Sequence, residues 1–322
     1  MKNYFITGGT GSFGQAFLKS FLNKKNTNVF IYSRDEMKHW YLQQDLFKNA
    51  KNFNYILGDV RDKDKLIYST KNIDYLIHAA ATKIVPTAES NPTECINTNI
   101  FGAMNVVEAS KVNKIKKIVA LSTDKACNPI NLYGASKLAS DKLFISANYD
   151  SITSFSKFSV VRYGNVIGSR GSIVPFFKKL NSENSKYFPI THKDMTRFVI
   201  TLDEAVKMVQ FALRNSLGGE IYIKKLPSIR IIDLAKAVNE KKKIKLIGIR
   251  PGEKLHEAMI SQDDSLNTFE YNDHYKILSP LIDKKIKGKI IAKSKKVKAN
   301  FSYSSQKNNS WLSIQQIKKI IG

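Results

Sequence analysis

The segment Thr7-Gly8-Gly9-Thr10-Gly11-Ser12-Phe13-Gly14 constrains the fold of this chain more than any other. It follows an apolar strand and opens a predicted helix, and its glycines keep the spacing Gly-x-x-Gly-x-x-Gly. The early glycines allow a sharp turn close to a pyrophosphate, the last allows close helix packing, and the helix N-terminus supplies amide donors. This context predicts a dinucleotide-binding loop with contacts from Gly8, Thr10, Gly11, Ser12, Phe13 and Gly14.

Short apolar strands alternate with amphipathic helices through the first half of the chain. The predicted strands are Lys2 to Ile6, Val29 to Tyr32, Asn54 to Leu57, Tyr75 to His78, Ile118 to Leu121 and Phe158 to Arg162. The predicted helices are Ser12 to Lys24, Asp35 to Phe47, Pro92 to Lys111 and Tyr133 to Asn148. This alternation predicts an α/β protein with a doubly wound parallel sheet, a Rossmann domain, whose ligands lie at the carboxyl ends of the strands.

The second half is less regular and predicts a smaller C-terminal α/β lobe over that edge of the sheet. A helix from Asp203 to Asn215 is begun by Thr201. Strand–helix pairs are predicted at Glu220 to Ile223 with Ile231 to Val238, and at Ile244 to Ile247 with Glu253 to Ile260, before a closing helix at Ser313 to Ile321. The predicted division gives residues 1–165 plus about 195–218 to the dinucleotide-binding domain. It gives 166–194 plus 219–322 to a substrate-binding lobe.

The bulk composition is that of a globular protein with a substantial core: 322 residues, 43% hydrophobic and 25% charged. No apolar run reaches the roughly 18 residues that a membrane span needs, and no signal segment precedes the first strand. The only cysteines, Cys95 and Cys127, lack metal-type spacing. We therefore expect a cytoplasmic protein with no disulfide, no metal site and no membrane contact.

The formal net charge of +25 has two interpretations. One is a nucleic-acid-binding surface. The other is a lysine-rich composition spread over the whole molecule, since the chain has 44 Lys and 8 Arg. The dense lysine groups, as at Lys241-Lys242-Lys243, lack interleaved aromatic residues that stack on bases. The second interpretation is favoured, with a field that attracts anionic substrates and no nucleic-acid partner.

The end of the second strand bears on which dinucleotide binds. Ser33-Arg34 can hold a 2′-phosphate through charge-assisted hydrogen bonds, which favours NADP over NAD. The alternative is that Arg34 pairs with Asp35 or Glu36 at the surface. Asp59 and Val60, after the third strand, are predicted to contact the adenine.

A polar cluster follows the strand that ends at Leu121: Ser122-Thr123-Asp124-Lys125, with Tyr133 and Lys137 one helical turn apart. A phenol with a pKa of roughly 10 is a poor base at neutral pH. Lowering it to about 7 requires ~4 kcal/mol of preference for the phenolate. A nearby ammonium and an oxidised nicotinamide can supply this, so Tyr133 can take a proton from a sugar hydroxyl while hydride leaves.

These motifs resemble the extended short-chain dehydrogenase/reductases that act on nucleotide sugars. Within them, the segments that begin at Ser122, Asn131, Arg162 and Arg250 resemble the inverting UDP-N-acetylglucosamine 4,6-dehydratases of pseudaminic acid biosynthesis. The four segments read Ser-Thr-Asp-Lys-Ala, Asn-Leu-Tyr-Gly, Arg-Tyr-Gly-Asn-Val and Arg-Pro-Gly-Glu-Lys. The resemblance runs from about residue 3 to residue 283.

The resemblance implies a reaction in which C4 is oxidised, water is eliminated across C5 and C6, and hydride returns to C6. Thr123, Tyr133 and Lys137 would serve the hydride step, Asp124 would be the acid, and Lys125 the base that inverts C5. Asp124 suits this role if burial raises its pKa, and Lys125 if desolvation and neighbouring cations lower its pKa. Retaining relatives typically carry Glu at the position of Lys125.

The same resemblance implies the remaining contacts. Cofactor contacts fall to Ala79, Ala80, Lys83 and Val166, and substrate contacts to Lys83, Asn165, Arg197, Arg250 and Glu253. It further implies tightly bound NADP, a homo-oligomer (a hexamer in the family) and a product used for pseudaminic acid and flagellin glycosylation. His78, on an apolar strand end, is expected to be a packed residue.

Three alternatives stay open from the sequence. A C4 epimerase would need Thr123, Tyr133 and Lys137 but no Asp-Lys pair. Capsule-type dehydratases tend to carry Met where Tyr133 stands. A basic nucleic-acid-binding protein on a dehydrogenase scaffold would explain the charge but not the intact polar cluster.

Overall fold

The computed structural model describes residues 1–22, 24–149 and 155–322. Seventeen strands are assigned within them: β1 Lys2–Thr7, β2 Thr27–Ser33, β3 Phe53–Leu57, β4 Tyr75–His78, β5 Lys117–Thr123, β6 Lys157–Tyr163, β7 Asn165–Val166, β8 Tyr187–Ile190, β9 Thr196–Ile200, β10 Glu220–Lys224, β11 Ser228–Arg230, β12 Lys243–Leu246, β13 Ala258–Ile260, β14 Thr268–Glu270, β15 His274–Leu278, β16 Lys295–Lys296 and β17 Tyr303–Ser304.

Twelve α-helices are assigned in the same residues: α1 Ser12–Lys19, α2 Glu36–Tyr41, α3 Lys63–Ser69, α4 Val85–Ser90, α5 Pro92–Ile96, α6 Gly102–Val112, α7 Leu132–Ser146, α8 Ile173–Ser182, α9 Leu202–Asn215, α10 Ile231–Val238, α11 Lys284–Ile291 and α12 Ile314–Ile321. A wider π-helical turn, Asn97–Phe101, joins α5 to α6. The helices α3 and α4 were not predicted, because each is short and its apolar pattern is weak.

One ten-stranded sheet organises the molecule, in the order β16-β14-β15-β10-β6-β5-β4-β1-β2-β3. The seven strands from β3 to β10 run parallel, which confirms the predicted doubly wound sheet. The strand order reverses between β1 and β4, so their carboxyl ends, at Thr7 and His78, form the crevice where ligands of such sheets bind.

A second apolar core supports the smaller lobe. It joins Val174 and Phe177 of α8, Phe188 of β8, Leu234 of α10 and Ile317 of α12. The strand β7 pairs with β9, and β9 pairs with β11, in a separate three-stranded sheet. Beside it, β8 and β12 form a parallel pair. These elements follow the carboxyl end of β6 and border that side of the ligand crevice.

The assignment of some residues to the two parts differs from the predicted division. The strand β10 pairs in parallel with β6, and β15, β14 and β16 continue the main sheet antiparallel, although residues 219–322 were assigned to the second lobe. The strand β9, assigned to the first domain, belongs to the three-stranded sheet. Sequence pattern identifies a strand but not its neighbour, so α9 was recognised while the strands on either side of it were misplaced.

Two predicted helices also differ. The helix expected from Ser12 to Lys24 ends at Lys19, and position 23 lies outside the described residues. The helix expected from Glu253 to Ile260 is wrong: an irregular loop leads into β13. The Arg197 guanidinium accounts for this, because it binds the backbone carbonyls of Lys254 and Leu255 that a helix would use internally.

Candidate functional site

The glycine loop lies at the reversal point of the sheet, where backbone segments approach closely. Gly8 has φ +68°, and a Cβ built on it would lie 2.8 Å from the amide nitrogen of Ala80. A Cβ on Gly14 would lie 2.2 Å from the carbonyl oxygen of Gly9. These distances exclude side chains at both positions, so the loop folds tightly against β4 and leaves the start of α1 open to a ligand.

A cavity of about 790 Å³ extends from this loop across the carboxyl ends of the strands. It is lined by most of the predicted cofactor and catalytic residues: Gly8, Thr10, Gly11, Ser12, Phe13, Ser33, Arg34, Asp59, Val60, Ala79, Ala80, Lys83, Thr123, Lys125, Tyr133, Lys137 and Val166. We call it the dinucleotide cavity. Gly14 and Asp124 are not among its lining residues; Gly14 packs against the loop itself.

At one end of the dinucleotide cavity, polar groups surround the end of β2. The Thr10 hydroxyl lies 2.8 Å from the Ser33 hydroxyl. The Arg34 guanidinium is 59% exposed and lies 3.7 Å from Asp59, while Asp35 pairs with Lys38. The surface-pairing alternative named Asp35 or Glu36 as the partner of Arg34, whereas the structure pairs Arg34 with Asp59.

The helix α7 carries Tyr133 and Lys137 into the cavity. Its N-cap is Asn131, whose side-chain oxygen accepts from the Gly134 amide at 2.7 Å. The Asn131 side-chain nitrogen donates to the Gly252 carbonyl at 2.7 Å, which ties this helix to the loop before β13. Lys137 is 3% exposed, and burial lowers the pKa of its amine against the opposing effect of Asp141.

Burial raises the pKa of Tyr133 to about 12, while Lys125 and a hydrogen bond with Thr123 act in the opposite direction. The expected lowering towards neutrality is therefore not built into the protein alone. It requires the charge of a bound cofactor, because desolvation outweighs the protein cations near the phenol.

The Asp124-Lys125 pair forms a one-turn 3₁₀-helix directly after β5. Asp124 is 0% exposed, and its Oδ1 accepts from the Thr123 hydroxyl at 3.0 Å and from Lys125 Nζ at 3.0 Å. Burial opposes the ammonium of Lys125, but Asp124 and Glu257 outweigh it, so the pKa of Lys125 is raised. This corrects the expectation of a lowered pKa, which did not include a second carboxylate.

A second cavity of about 580 Å³ adjoins the first. Lys125, Asn165 and Arg250 line both cavities, and Arg197, Glu253 and Glu257 line only the second. Its other walls are largely apolar: Pro175, Phe176, Phe177, Pro189, Ile190, Met195 and Ile231. We call it the lobe cavity, and four of the five predicted substrate residues lie in it. The fifth, Lys83, lines the dinucleotide cavity and donates to the Arg170 carbonyl at 2.9 Å.

The two arginines predicted for the lobe cavity differ in how many protein groups they bind. Arg197 is buried and donates to the carbonyls of Thr196, Leu255 and Lys254 at 2.7, 3.1 and 2.8 Å. Most of its donors therefore hold the loop. The Arg250 guanidinium is exposed and has no protein partner in the described part of the chain, so its full fork of donors faces the cavity.

Two residues of the site were not predicted from the sequence. Glu257 lies 3.4 Å from Lys125 Nζ, and its region was predicted to be helical. Arg170, from the loop before α8, donates from its guanidinium to the Thr10 carbonyl at 2.7 Å, and its amide donates to the Ser12 hydroxyl at 3.1 Å. The glycines at 168 and 171, both with positive φ, were the only local signal for this bridge.

The packed residues behave as expected. Burial lowers the pKa of His78 to about 3, and its Nδ1 lies 2.9 Å from the Thr7 hydroxyl. Cys95 and Cys127 are buried thiols.

Within residues 1–22, 24–149 and 155–322, no helix is both long and apolar enough to cross a membrane.

Comparisons with known proteins agree with this geometry. Residues 4–279 match the family described as polysaccharide biosynthesis protein. A UDP-N-acetylglucosamine 4,6-dehydratase (inverting) from Campylobacter jejuni is 52% identical over 99% of this chain and 97% of its own. A UDP-glucose 4-epimerase from Rickettsia bellii is 38% identical over 99% of this chain and 95% of its own.

Among solved structures, Pen from Bacillus thuringiensis superposes with a TM-score of 0.91 at 37% identity, covering 99% of this chain and 97% of that one. The dTDP-glucose 4,6-dehydratase DesIV from Streptomyces venezuelae, solved with NAD bound, has a TM-score of 0.70 at 18% identity, covering 79% and 86%. At that identity DesIV shows a shared fold only.

Proposed function

Because the chain belongs to the polysaccharide biosynthesis protein family, with the extended short-chain dehydrogenase/reductase fold, we propose a specific activity for it. It is a UDP-N-acetylglucosamine 4,6-dehydratase, a lyase that inverts C5. The carrying observation is the position of Lys125, an amine where the dinucleotide cavity meets the lobe cavity. The name of the Campylobacter jejuni relative supports the substrate and the stereochemistry.

The dinucleotide cavity suits NADP. The tight approach of Gly8 to Ala80 and the open start of α1 fit a pyrophosphate. Ser33 fits a 2′-phosphate together with the exposed Arg34, whose contact with Asp59 is loose at 3.7 Å. When bound, the cofactor accepts a hydride from C4 and returns one to C6. Lys137, buried one turn from Tyr133, would bind the nicotinamide ribose.

The lobe cavity suits the sugar nucleotide. The exposed fork of Arg250 fits the diphosphate, and Arg197 with Glu253 holds the loop that presents it, since Arg197 Nη2 lies 3.7 Å from Glu253 Oε1. Asn165 lines both cavities and is assigned to the hexose. The high positive charge of the chain favours encounter with this anionic ligand.

The chain's own groups move the protons. Tyr133, which is hydrogen-bonded to Thr123, takes the proton of the C4 hydroxyl. The resulting ketone acidifies C5, and Lys125 takes the C5 proton after giving its own to Asp124. Asp124 supplies a proton for the departing C6 hydroxyl through the Thr123 hydroxyl, which lies 3.0 Å from its Oδ1 and lines the dinucleotide cavity. Lys125 then returns its proton to the opposite face of C5, which inverts it.

The wider context belongs to the same proposal. The product would enter pseudaminic acid-type sugar synthesis and flagellin glycosylation, and the protein would work as a homo-oligomer without a nucleic-acid partner. The pathway and the oligomer follow from the resemblance of the motifs, and the absence of a nucleic-acid partner follows from the distribution of the lysines.

The second candidate is a C4 epimerase, favoured by the name of the Rickettsia bellii relative. An epimerase keeps the C6 hydroxyl and has no use for a lysine against the hexose. Lys125, held between two buried carboxylates, favours elimination.

The test is incubation of the purified protein with UDP-N-acetylglucosamine and no added reductant. We expect loss of one water by mass spectrometry and a 4-keto-6-deoxy product whose ring-proton NMR couplings show inversion at C5. An isomer of unchanged mass would establish the epimerase instead.

A further inference from the structure

Glu257 is a buried carboxylate to which the proposed reaction gives no role. It is 2% exposed and directly precedes β13. Its amide donates to the Ser305 hydroxyl at 3.0 Å, and its carbonyl accepts from the Ser305 amide at 2.7 Å. This double link to the residue that follows β17 fixes the backbone, so the carboxylate is held in one place.

The charges around Glu257 come from three separate segments. Lys125 Nζ lies 3.4 Å from Oε1, Arg197 Nε lies 4.0 Å from Oε1, and Lys254 Nζ lies 3.8 Å from Oε2. Asp124 faces it across the Lys125 amine. Oε2 is buried and has no hydrogen-bond partner in the part of the chain that the structure describes. A buried acceptor left open is costly unless its site uses it.

The two carboxylates beside Lys125 are not equivalent. Asp124 is fully buried and lines neither the dinucleotide cavity nor the lobe cavity. Glu257 lines the lobe cavity together with Lys125. Glu257 is therefore the carboxylate on the side from which a sugar nucleotide would approach.

We propose that Glu257 is a positioning residue for Lys125: it aims the amine into the lobe cavity and stabilises the ammonium that forms when Lys125 takes the C5 proton. The inference rests on the proposed function. The proton balance needs no further reactant. An N–H bond of Lys125 breaks as Asp124 gains an O–H bond; then the C5–H bond breaks and an N–H bond forms. The electron pair moves into the C5–C6 double bond as the C6–O bond breaks, and the hydroxyl leaves as water with the proton that Asp124 relays.

The second carboxylate matters because of what happens to the first. Once Asp124 has accepted the proton it is neutral and no longer holds Lys125 by charge. Glu257 then provides the remaining anion next to the amine, as a carboxylate does beside a catalytic imidazole. Arg197 and Lys254 favour the ionised form of this carboxylate, while burial and Asp124 raise its pKa.

The test compares Glu257→Gln with the wild type and with Glu108→Gln, a control on the exposed surface of α6. Three quantities are measured: the rate of water loss, the incorporation of deuterium at C5 from heavy water, and the formation of reduced cofactor on mixing with substrate. We expect water loss and C5 exchange to fall together by about 100-fold, the low end of what a general base contributes. Reduced cofactor should still form, because C4 oxidation precedes the step that Glu257 serves.

The pH dependence separates this role from a purely structural one. Burial raises the pKa of Glu257, so protonation below that pKa removes the partner of Lys125 and gives the wild type an acid limb in kcat. Glu257→Gln should lack this limb, and Glu257→Asp, which keeps the charge, should recover part of the rate and the limb. A structural salt bridge would alter stability or KM without moving the limb.

The outcomes are distinguishable. A wild type that releases no water contradicts the proposed function itself. If the wild type dehydrates its substrate and Glu257→Gln exchanges C5 at a similar rate, the role of Glu257 is wrong. If Glu257→Gln does not fold by circular dichroism, Glu257→Asp decides: a folded Glu257→Asp with no C5 exchange also overturns the role, because the retained charge should recover part of the rate.

Discussion

The two adjoining cavities are built in different ways. The dinucleotide cavity depends on backbone: the approach of Gly8 to Ala80, the contact of Gly14 with Gly9, and the open start of α1. The lobe cavity depends on side chains from distant segments, such as Arg197 and Glu257, which meet Lys125 only in the folded chain. A backbone site is encoded in a few adjacent residues, whereas a side-chain site is encoded in tertiary packing. The two should therefore fail differently when altered.

Lys125 belongs to both cavities, and its removal should have the strongest consequence. We expect Lys125→Ala to reduce water loss by about 1,000-fold, within the range of general acid–base catalysis, and to abolish deuterium exchange at C5. Retention of the bound dinucleotide should be unchanged, because the glycine loop is intact. The matched control is Lys142→Ala on the exposed face of α7. Normal exchange in Lys125→Ala would remove this lysine as the base.

Gly14→Ala tests the backbone cavity. The added methyl would lie 2.2 Å from the Gly9 carbonyl oxygen, so the loop or α1 has to shift. We expect a loss of about 1–3 kcal/mol in the free energy of unfolding, together with loss of dinucleotide through gel filtration. Gly288→Ala is the control: it has no atom within 4 Å and lies in α11, so it should be neutral or slightly stabilising. Equal thermal melts for the two variants would show that the close approach is not needed.

Arg197→Lys tests the side-chain cavity. One ammonium cannot replace a guanidinium that donates to three carbonyls, so the loop before β13 should loosen. We expect KM for the sugar nucleotide to rise about tenfold, or ~1.4 kcal/mol, with dinucleotide retention unchanged. Arg214→Lys, at an exposed position of α9, serves as the comparison. A loss of dinucleotide in Arg197→Lys would mean that the two cavities are not independent.

Arg34→Ala should have the mildest consequence. The guanidinium is exposed and loosely paired with Asp59 at 3.7 Å, so solvent screens its charge. We expect a loss of about threefold to tenfold in NADP affinity and little change for NAD, because one solvated charge contact is worth about 1 kcal/mol. Titration of dinucleotide-free protein with each cofactor measures the ratio. Equal losses of affinity for NADP and NAD would mean that Arg34 contacts a part that the two dinucleotides have in common.

The sequence predicted the backbone cavity well, for a physical reason. A tight turn next to a strand needs glycines at fixed spacing, and a helix carrying Tyr133 and Lys137 needs only local pattern. The parallel order of the sheet followed from the alternation of elements. The prediction that residues 219–322 form the second lobe did not hold for β10, because pairing with β6 is a long-range contact.

The same limit explains the residues that were missed. Glu257 lies in a segment whose spacing suggested a helix. The Lys254 and Leu255 carbonyls of that segment bind the Arg197 guanidinium, a partner distant in sequence, instead of helix amides. The direction of the Lys125 pKa depended on that carboxylate, so it could not be inferred from Asp124 alone. Arg170 reaches Thr10 across 160 positions of sequence, a separation at which local pattern carries no information.

The Arg170 bridge has a consequence for whether the protein would need to exchange its dinucleotide between turnovers. It joins the loop before α8 to the glycine loop beside the dinucleotide cavity. The Lys83 amine also donates to the Arg170 carbonyl. In the proposed reaction the electrons taken from C4 go back to C6, so no turnover requires the cofactor to leave. A bridge that stays closed over the dinucleotide would then make the proposed enzyme insensitive to the ratio of oxidised to reduced dinucleotide around it. Its output would follow the supply of sugar nucleotide alone.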